Sequence, residues 1–205
     1  PWPYGTRGTY ATRLLFPSPG RWRLSVDAGL AGKAAVDIQV GERSAVVDVG
    51  SPAPRKANRT LRDAGRLALL TSAPEPDPEL YLASIPQALD SGKPLVVVFA
   101  SPAFCTSPTC GPQVEAVSEL KRRHRERATY IHVEVYDNPA EIAGDPGRAR
   151  LAPLVHDWGL TSVPGWTNES WVFVVDAAGR VAERFEGFAP VEELEAALLV
   201  LLPPA

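Results

Sequence analysis

Leu95-Val-Val-Val-Phe-Ala100, followed by Ser101-Pro-Ala-Phe-Cys-Thr-Ser-Pro-Thr-Cys110 and Gly111-Pro-Gln-Val114, is the stretch that decides how this chain is read. Six consecutive apolar residues predict a strand buried on both faces. Pro108 supports an irregular stretch next, and Pro112 suits the first turn of a helix, where its missing N–H is harmless. Val114, Val117 and Leu120 then recur at helical spacing over 112–127. Lys121-Arg-Arg-His-Arg-Glu-Arg127 puts positive charge at the helix C-terminus, which the dipole favours. Both cysteines of the chain lie inside this strand, loop and helix.

Toward the C-terminus, residues 130–136 read as a strand and 148–158 as a helix. Trp171-Val-Phe-Val-Val175 and the run 181–188, joined by Asp176-Ala-Ala-Gly179, read as a hairpin, and 191–202 as a closing helix. Upstream, Leu80, Leu82, Ile85 and Leu89 predict a helix over 79–91. The order is β-α-β-α-β-β-α with one further helix ahead.

Closer to the N-terminus the period changes. Tyr10-Ala-Thr-Arg-Leu-Leu-Phe16, Trp22-Arg-Leu-Ser-Val26 and Ala35-Val-Asp-Ile-Gln-Val40 alternate apolar and polar residues, and Pro17-Ser-Pro-Gly20 and the glycines of 29–32 separate them. That pattern predicts three or four antiparallel strands. So few strands bury too little to stand alone, so they must lean on the rest of the chain, on a partner or on further strands. Gly50-Ser-Pro-Ala-Pro54 and Pro74-Glu-Pro-Asp-Pro78 mark a connector. The expected division is a β-rich segment 1–48, a linker 49–75 and an α/β domain 76–205.

Composition bounds the function. The 205 residues, 45% hydrophobic and 22% charged, suffice for one sizeable core. Twenty-one basic against 24 acidic residues leave no basic face, so nucleic acid is excluded as a partner. No apolar run nears the ~20 residues of a membrane span, so membrane association would need an anchor outside this chain. A chain that opens at Pro1 and has no Met is expected to have lost its start, and a signal peptide with it. High proline and the excess of arginine over lysine suggest a GC-rich bacterial genome.

Lys93-Pro-Leu-Val-Val-Val-Phe-Ala-Ser-Pro-Ala-Phe-Cys105 resembles the apolar strand, aromatic, proline and first cysteine of the thioredoxin-like superfamily, in particular its extracytoplasmic thiol-disulfide members and redoxins. Phe173-Val-Val-Asp-Ala-Ala-Gly-Arg180 is similar to the family's hairpin, and Gly50-Ser-Pro-Ala-Pro54 to the opening of redoxin domains. Phe16-Pro-Ser-Pro-Gly-Arg-Trp22 resembles late strands of immunoglobulin-like modules. The resemblance implies an α/β thioredoxin-like fold, a central mixed sheet flanked by helices, preceded by a small antiparallel β segment. It further implies thiol-disulfide exchange with protein thiols or disulfides and a redox partner protein in the bacterial cell envelope, without a cofactor.

Five positions apart on one helix, Cys105 and Cys110 would lie about 7.5 Å apart along the axis and about 140° apart around it. If they bond, the loop must be irregular. The resemblance makes Cys105 the attacking thiol and Cys110 the resolving one. The helix end alone favours Cys110, and Cys110-Gly-Pro112 echoes the Cys-Gly-Pro of thioredoxins. The four-residue spacer departs from the family's two. A peroxidatic role is disfavoured because Pro102 stands where peroxiredoxins place Thr. An inert bridge remains open, as does a copper-binding pair of the Sco type with His132 or His156, though no metal ligand set is assigned. The family's cis-proline, which holds substrate chain, falls at Ser170 counted back from the strand or at Pro164 counted forward. With Trp171 these are the expected substrate contacts, and Trp158, Trp166 and Trp171 are candidates either for lining the same groove or for filling the core under a long loop. His132 and Glu134 share one strand face, as a proton relay or as its polar side.

Overall fold

The structure is a computed structural model that describes residues 14–142 and 145–203. It divides into two compact units, residues 2–44 and 45–205.

In the first unit β1 (Gly20–Asp27) and β2 (Lys33–Val40) form an antiparallel ribbon. Its register sets Trp22 opposite Ile38 and Leu24 opposite Val36 on one face, and Arg23 opposite Asp37 on the other. Among the described residues of this unit two strands are seen, and the expected third, over 10–16, falls mostly outside them.

The second unit is built on a four-stranded sheet. Its elements are α1 (Leu61–Ala64), α2 (Ile85–Asp90), β3 (Leu95–Ala100), α3 (Cys110–His124), β4 (Thr129–Glu134), α4 (Pro139–Ile142), α5 (Pro153–Asp157), β5 (Trp171–Val175), β6 (Val181–Glu186) and α6 (Val191–Leu199). The strand order is β4-β3-β5-β6, with β3 and β4 parallel and the other neighbours antiparallel. The sheet is therefore mixed and has helices on both faces, as expected.

Every residue of β3 is inaccessible because the strand alternates between two cores. Leu95, Val97 and Phe99 pack with Ile85, Val155, Trp158 and Phe173, whereas Val96, Val98 and Ala100 pack with Val117 and Leu120 of α3 and Leu194 and Leu198 of α6. Trp158 is fully buried, its ring 4.6 Å from Phe173 and 5.3 Å from Phe99.

Three segments depart from the expected pattern. The helix read over 79–91 is a 3₁₀ turn, Pro78–Tyr81, and then α2, because Ser84 and Gln87 cap a fresh start and Pro86 sits in its first turn. The helix read over 148–158 shortens to α5, which Pro153 opens. The stretch read as a linker, 49–75, packs as part of the second unit. Its backbone runs along the hairpin through Gly50 N to Val181 O (2.7 Å), Val181 N to Ser51 O (2.9 Å) and Ala53 N to Gly179 O (2.9 Å). Ala53 and Leu70 are buried in the two cores. Proline-rich composition marked the segment as irregular, and irregular chain can still pair with an open strand end.

Candidate functional site

Strand β3 ends at Ala100 in the middle of the sheet, and the chain crosses 101–109 before α3 begins at Cys110. Phe99 is in register with Trp171, so the loop that enters β5 reaches the same end of the sheet. Topology alone brings 101–110 and 166–170 together.

Cys105 and Cys110 are joined in a disulfide, with their Cα atoms 6.1 Å apart. The irregular loop required for that bond is present: Cys105 lies in it and Cys110 occupies the first turn of α3. Cys110 is inaccessible, whereas Cys105 is only partly buried. A reactant from outside therefore meets Cys105 first.

The spacer is tied to the loop before β5 by side-chain hydrogen bonds. Asn168 takes a left-handed conformation (φ 64°), which Asn tolerates better than most residues. Its Nδ2 donates to Phe104 O and to the Tyr136 hydroxyl, each at 2.8 Å, and its Oδ1 accepts from Thr106 N at 3.0 Å. Thr106 Oγ1 donates to Thr167 O at 2.7 Å. Ser107 Oγ donates to the Glu169 carboxylate at 2.8 Å, as does Thr109 Oγ1. The carbonyl oxygen of Asn168 lies 3.7 Å from each sulfur.

The donor atoms of Cys105, Cys110 and Glu169 lie within 4.8 Å of one another. Bonded to each other, the sulfurs offer no thiolate, and the Glu169 carboxylate is engaged by two hydroxyls. The trio is accordingly not read as a metal centre. His132 does not approach it as a ligand either: its Nδ1 meets the Tyr81 hydroxyl at 2.6 Å and its Nε2 meets Ala100 O at 3.1 Å. Nε2 must donate to that carbonyl, and in the neutral ring Nδ1 then accepts from the Tyr81 hydroxyl. Burial pushes its pKa down to about 4. His156 bonds Thr161 through Nδ1 (2.9 Å).

Glu134 is buried as well, and burial pushes its carboxyl up to about 7. Its Oε2 accepts from both the amide (2.7 Å) and the hydroxyl (2.8 Å) of Ser72. Ser72 Oγ in turn accepts from Ala103 N at 3.1 Å, two residues before Cys105.

The three expected substrate contacts are scattered. Pro164 is exposed. Ser170 is buried, its hydroxyl donating to Gly187 O at 2.9 Å. Trp171 lies in the core, stacked on Phe173 at 5.9 Å. Trp166, half-buried, donates through Nε1 to Glu169 O at 2.9 Å. From the loop before β5, Asn168 and Glu169 come against the sulfurs, within the six-residue insertion that separates the two ways of counting. The hydroxyl-rich spacer Thr106-Ser-Pro-Thr109 was the other signal, for it has more donors than a short loop can satisfy alone.

No protein-family description and no curated protein matches this chain. Solved structures do. A putative thiol:disulfide interchange protein DsbE from Chlorobium tepidum superposes with a TM-score of 0.50 at 14% identity, over 76% of this chain and 98% of that one. The chain is thioredoxin-like in fold. A thiol:disulfide interchange protein of the thioredoxin family from Chlorobium tepidum TLS gives 0.47 at 15% identity, over 74% and 96%. A thio-disulfide isomerase from Thermus thermophilus gives 0.42 at 20%, over 76% and 97%. Within the thioredoxin-like framework, the cysteine loop and the loop before β5 occupy one end of the sheet, and the second loop here is bonded onto the first.

Proposed function

We propose that this chain is a thiol-disulfide oxidoreductase that exchanges electrons with protein thiols or disulfides outside the cytoplasm. The observation that carries the reading is the Cys105–Cys110 disulfide at the start of α3, with Cys105 accessible and Cys110 buried. In the reducing direction the Cys105 thiolate attacks a substrate disulfide and displaces one substrate thiolate. Cys110, as thiolate, then attacks Cys105 Sγ, which closes the intramolecular bond and releases the second substrate sulfur. Two electrons pass from the pair to the substrate, and the two protons of the cysteines end on the substrate thiols. The reverse sequence oxidises a substrate dithiol. Cys105 is the attacking residue because the resolving thiol must be shielded until the mixed disulfide forms. Among the described residues no helix is long and apolar enough to cross a membrane. The cell-envelope location rests on the persistence of disulfides in oxidising compartments. The 2–44 unit is read as part of an immunoglobulin-like β module.

A second reading, a non-catalytic binding or assembly module with a structural disulfide, is favoured by one observation: the Asn168 carbonyl covers both sulfurs. Equilibration in graded glutathione buffers, with alkylation and mass measurement, separates the two. A potential between about −120 and −270 mV is expected for the oxidoreductase. A potential below about −300 mV would leave the structural bridge. Cys110→Ser should then capture substrate proteins as mixed disulfides through Cys105.

A further inference from the structure

Glu169 is the charged group placed against the cysteine pair. A carboxylate oxygen of this residue and both sulfurs lie within 4.8 Å of one another. The carboxylate is fixed there by the hydroxyls of Ser107 and Thr109, both inside the spacer between the cysteines. Trp166 Nε1 holds the backbone carbonyl of the same residue, so neither end of Glu169 is loose.

The side chains facing this spot solvate the carboxylate with hydroxyls but, among the described residues, pair it with no cation. From β6 comes a second carboxylate, Glu186, whose pKa is raised by burial first and by the charge of Glu169 second, with Arg184 pulling the other way. Arg184 pairs with Asp48 and donates to the carbonyls of Val46 and Val47. The chain after β4 contributes the Tyr136 phenol, which bonds Asn168, and α5 contributes His156, which bonds Thr161. Among the described residues no lysine, arginine or histidine forms an ion pair with Glu169. The favourable field at this site is the N-terminal end of α3, and it belongs to the turn that holds Cys110. Cys105 precedes that turn and meets Ser107 Oγ at 3.7 Å, a hydroxyl already turned toward Glu169.

We propose that Glu169 restrains formation of the Cys105 thiolate in the reduced protein, so that the pair reacts slowly at neutral pH until this carboxylate is neutralised or displaced. A like charge beside a group that must become negative raises its pKa. The proposal concerns the regulation of the pair assigned above and rests on that dithiol reading for its biological meaning. Chemically it needs only that the disulfide be reduced, which a phosphine achieves whatever its potential.

The test uses the whole chain, reduced with a water-soluble phosphine and alkylated with iodoacetamide from pH 5 to pH 10, with Cys105 followed by peptide mass mapping. Glu169→Gln should move the midpoint of Cys105 alkylation down by about one pH unit, a tenfold larger thiolate fraction at pH 7. A less basic thiolate is also about threefold less nucleophilic, so the net gain in rate there is about threefold. Glu169→Asp keeps the charge and should keep the midpoint close to that of the unaltered chain. Raising salt from 10 mM to 1 M should lower the midpoint in the unaltered chain, because the carboxylate is screened, and this measurement needs no variant to fold. Equal midpoints for Glu169→Gln and the unaltered chain, or a midpoint indifferent to salt, would overturn the proposal. A potential below about −300 mV would overturn the oxidoreductase reading while leaving this test intact.

Discussion

Strand β3 and the loop that leaves it are consecutive in the chain and are held by different forces. Leu95–Ala100 is shut off from water by two apolar cores, one on each face of the sheet. Apolar burial is roughly proportional to area and tolerant of which atoms supply it. The loop 101–109 is fastened instead by hydrogen bonds to residues about 60 positions away, from Thr106 to Thr167 and Asn168 and from Ser107 and Thr109 to Glu169. Each of those bonds needs one donor and one acceptor at fixed places. Stability should therefore reside in the sheet and reactivity in the polar seam, and a substitution in one should leave the other's property nearly unchanged.

The severest way to strain that separation is Trp158→Ala. The side chain is fully buried between Phe99 and Phe173, so its removal should cost about 3–5 kcal/mol in urea unfolding. The potential of the cysteine pair in the protein that remains folded should not move. A shifted potential would show that core and seam are one unit. Next in size is Gly159→Ala. Gly159 has φ 79°, and a Cβ there would come within 2.3 Å of Ala45 O, beside the bond from Val47 N to Trp158 O. The backbone must shift, and a loss of about 2–3 kcal/mol is expected, measured the same way.

Glu134→Gln sharpens the comparison because Glu134 stands where sheet and loop join. Its folded pKa is raised from 4.5 to about 7, so between those values the unfolded chain has released a proton that the folded chain retains. That contribution to stability is complete below pH 4.5 and is lost as pH rises through 7. His132 acts in the opposite sense: its pKa is lowered from 6.5 to about 4, and stability is lost as pH falls through that window. With glutamine at 134 the His132 slope remains while the opposing Glu134 slope is gone. The stability of the variant relative to the unaltered chain should improve by about 2 kcal/mol between pH 5 and pH 7, read from urea midpoints at each pH. A constant difference would mean that Glu134 does not titrate in this range.

The contrast also explains what could be read from the sequence. The uninterrupted run from Leu95 to Ala100, the Val114, Val117, Leu120 spacing and the turn Asp176-Ala-Ala-Gly179 carry periodic signals, and the elements they predict are present. Pro112 and the basic run 121–127 marked α3 to within a few residues. Trp158 and Trp171 were candidates for a groove, yet both are buried, because an aromatic serves a core and a binding surface equally well. The site was half legible. Cys105 and Cys110 announced themselves, but Asn168 and Glu169 did not, for their roles depend on bonds to Phe104, Thr106 and Ser107, which no local pattern encodes. Ser170 and Pro164 were reached by counting from neighbouring elements. A count cannot show which residue of an insertion turns toward the sulfurs.

Asn168→Gly makes the smallest expected change in stability and tests the seam most directly. Glycine accepts φ 64° without strain, so only the side chain is removed, and with it the bonds to Phe104 O, the Tyr136 hydroxyl and Thr106 N. Asn168 is buried, but Phe104, Tyr136 and Thr106 at the other ends of these bonds are partly exposed, so water replaces some of the bonds and the three should be worth about 1–2 kcal/mol together. The sheet does not depend on them, so the unfolding transition should remain cooperative. The Asn168 carbonyl, however, is held over both sulfurs by that side chain. Once it is released, reduction of the disulfide by dithiothreitol should accelerate severalfold, because the carbonyl oxygen, 3.7 Å from each sulfur, no longer sets a partial negative charge beside the bond that an attacking thiolate must approach. An unchanged rate together with the expected small loss of stability would mean that the seam braces the loop without shielding the disulfide. In that case the accessibility of Cys105 alone would set how fast the pair exchanges.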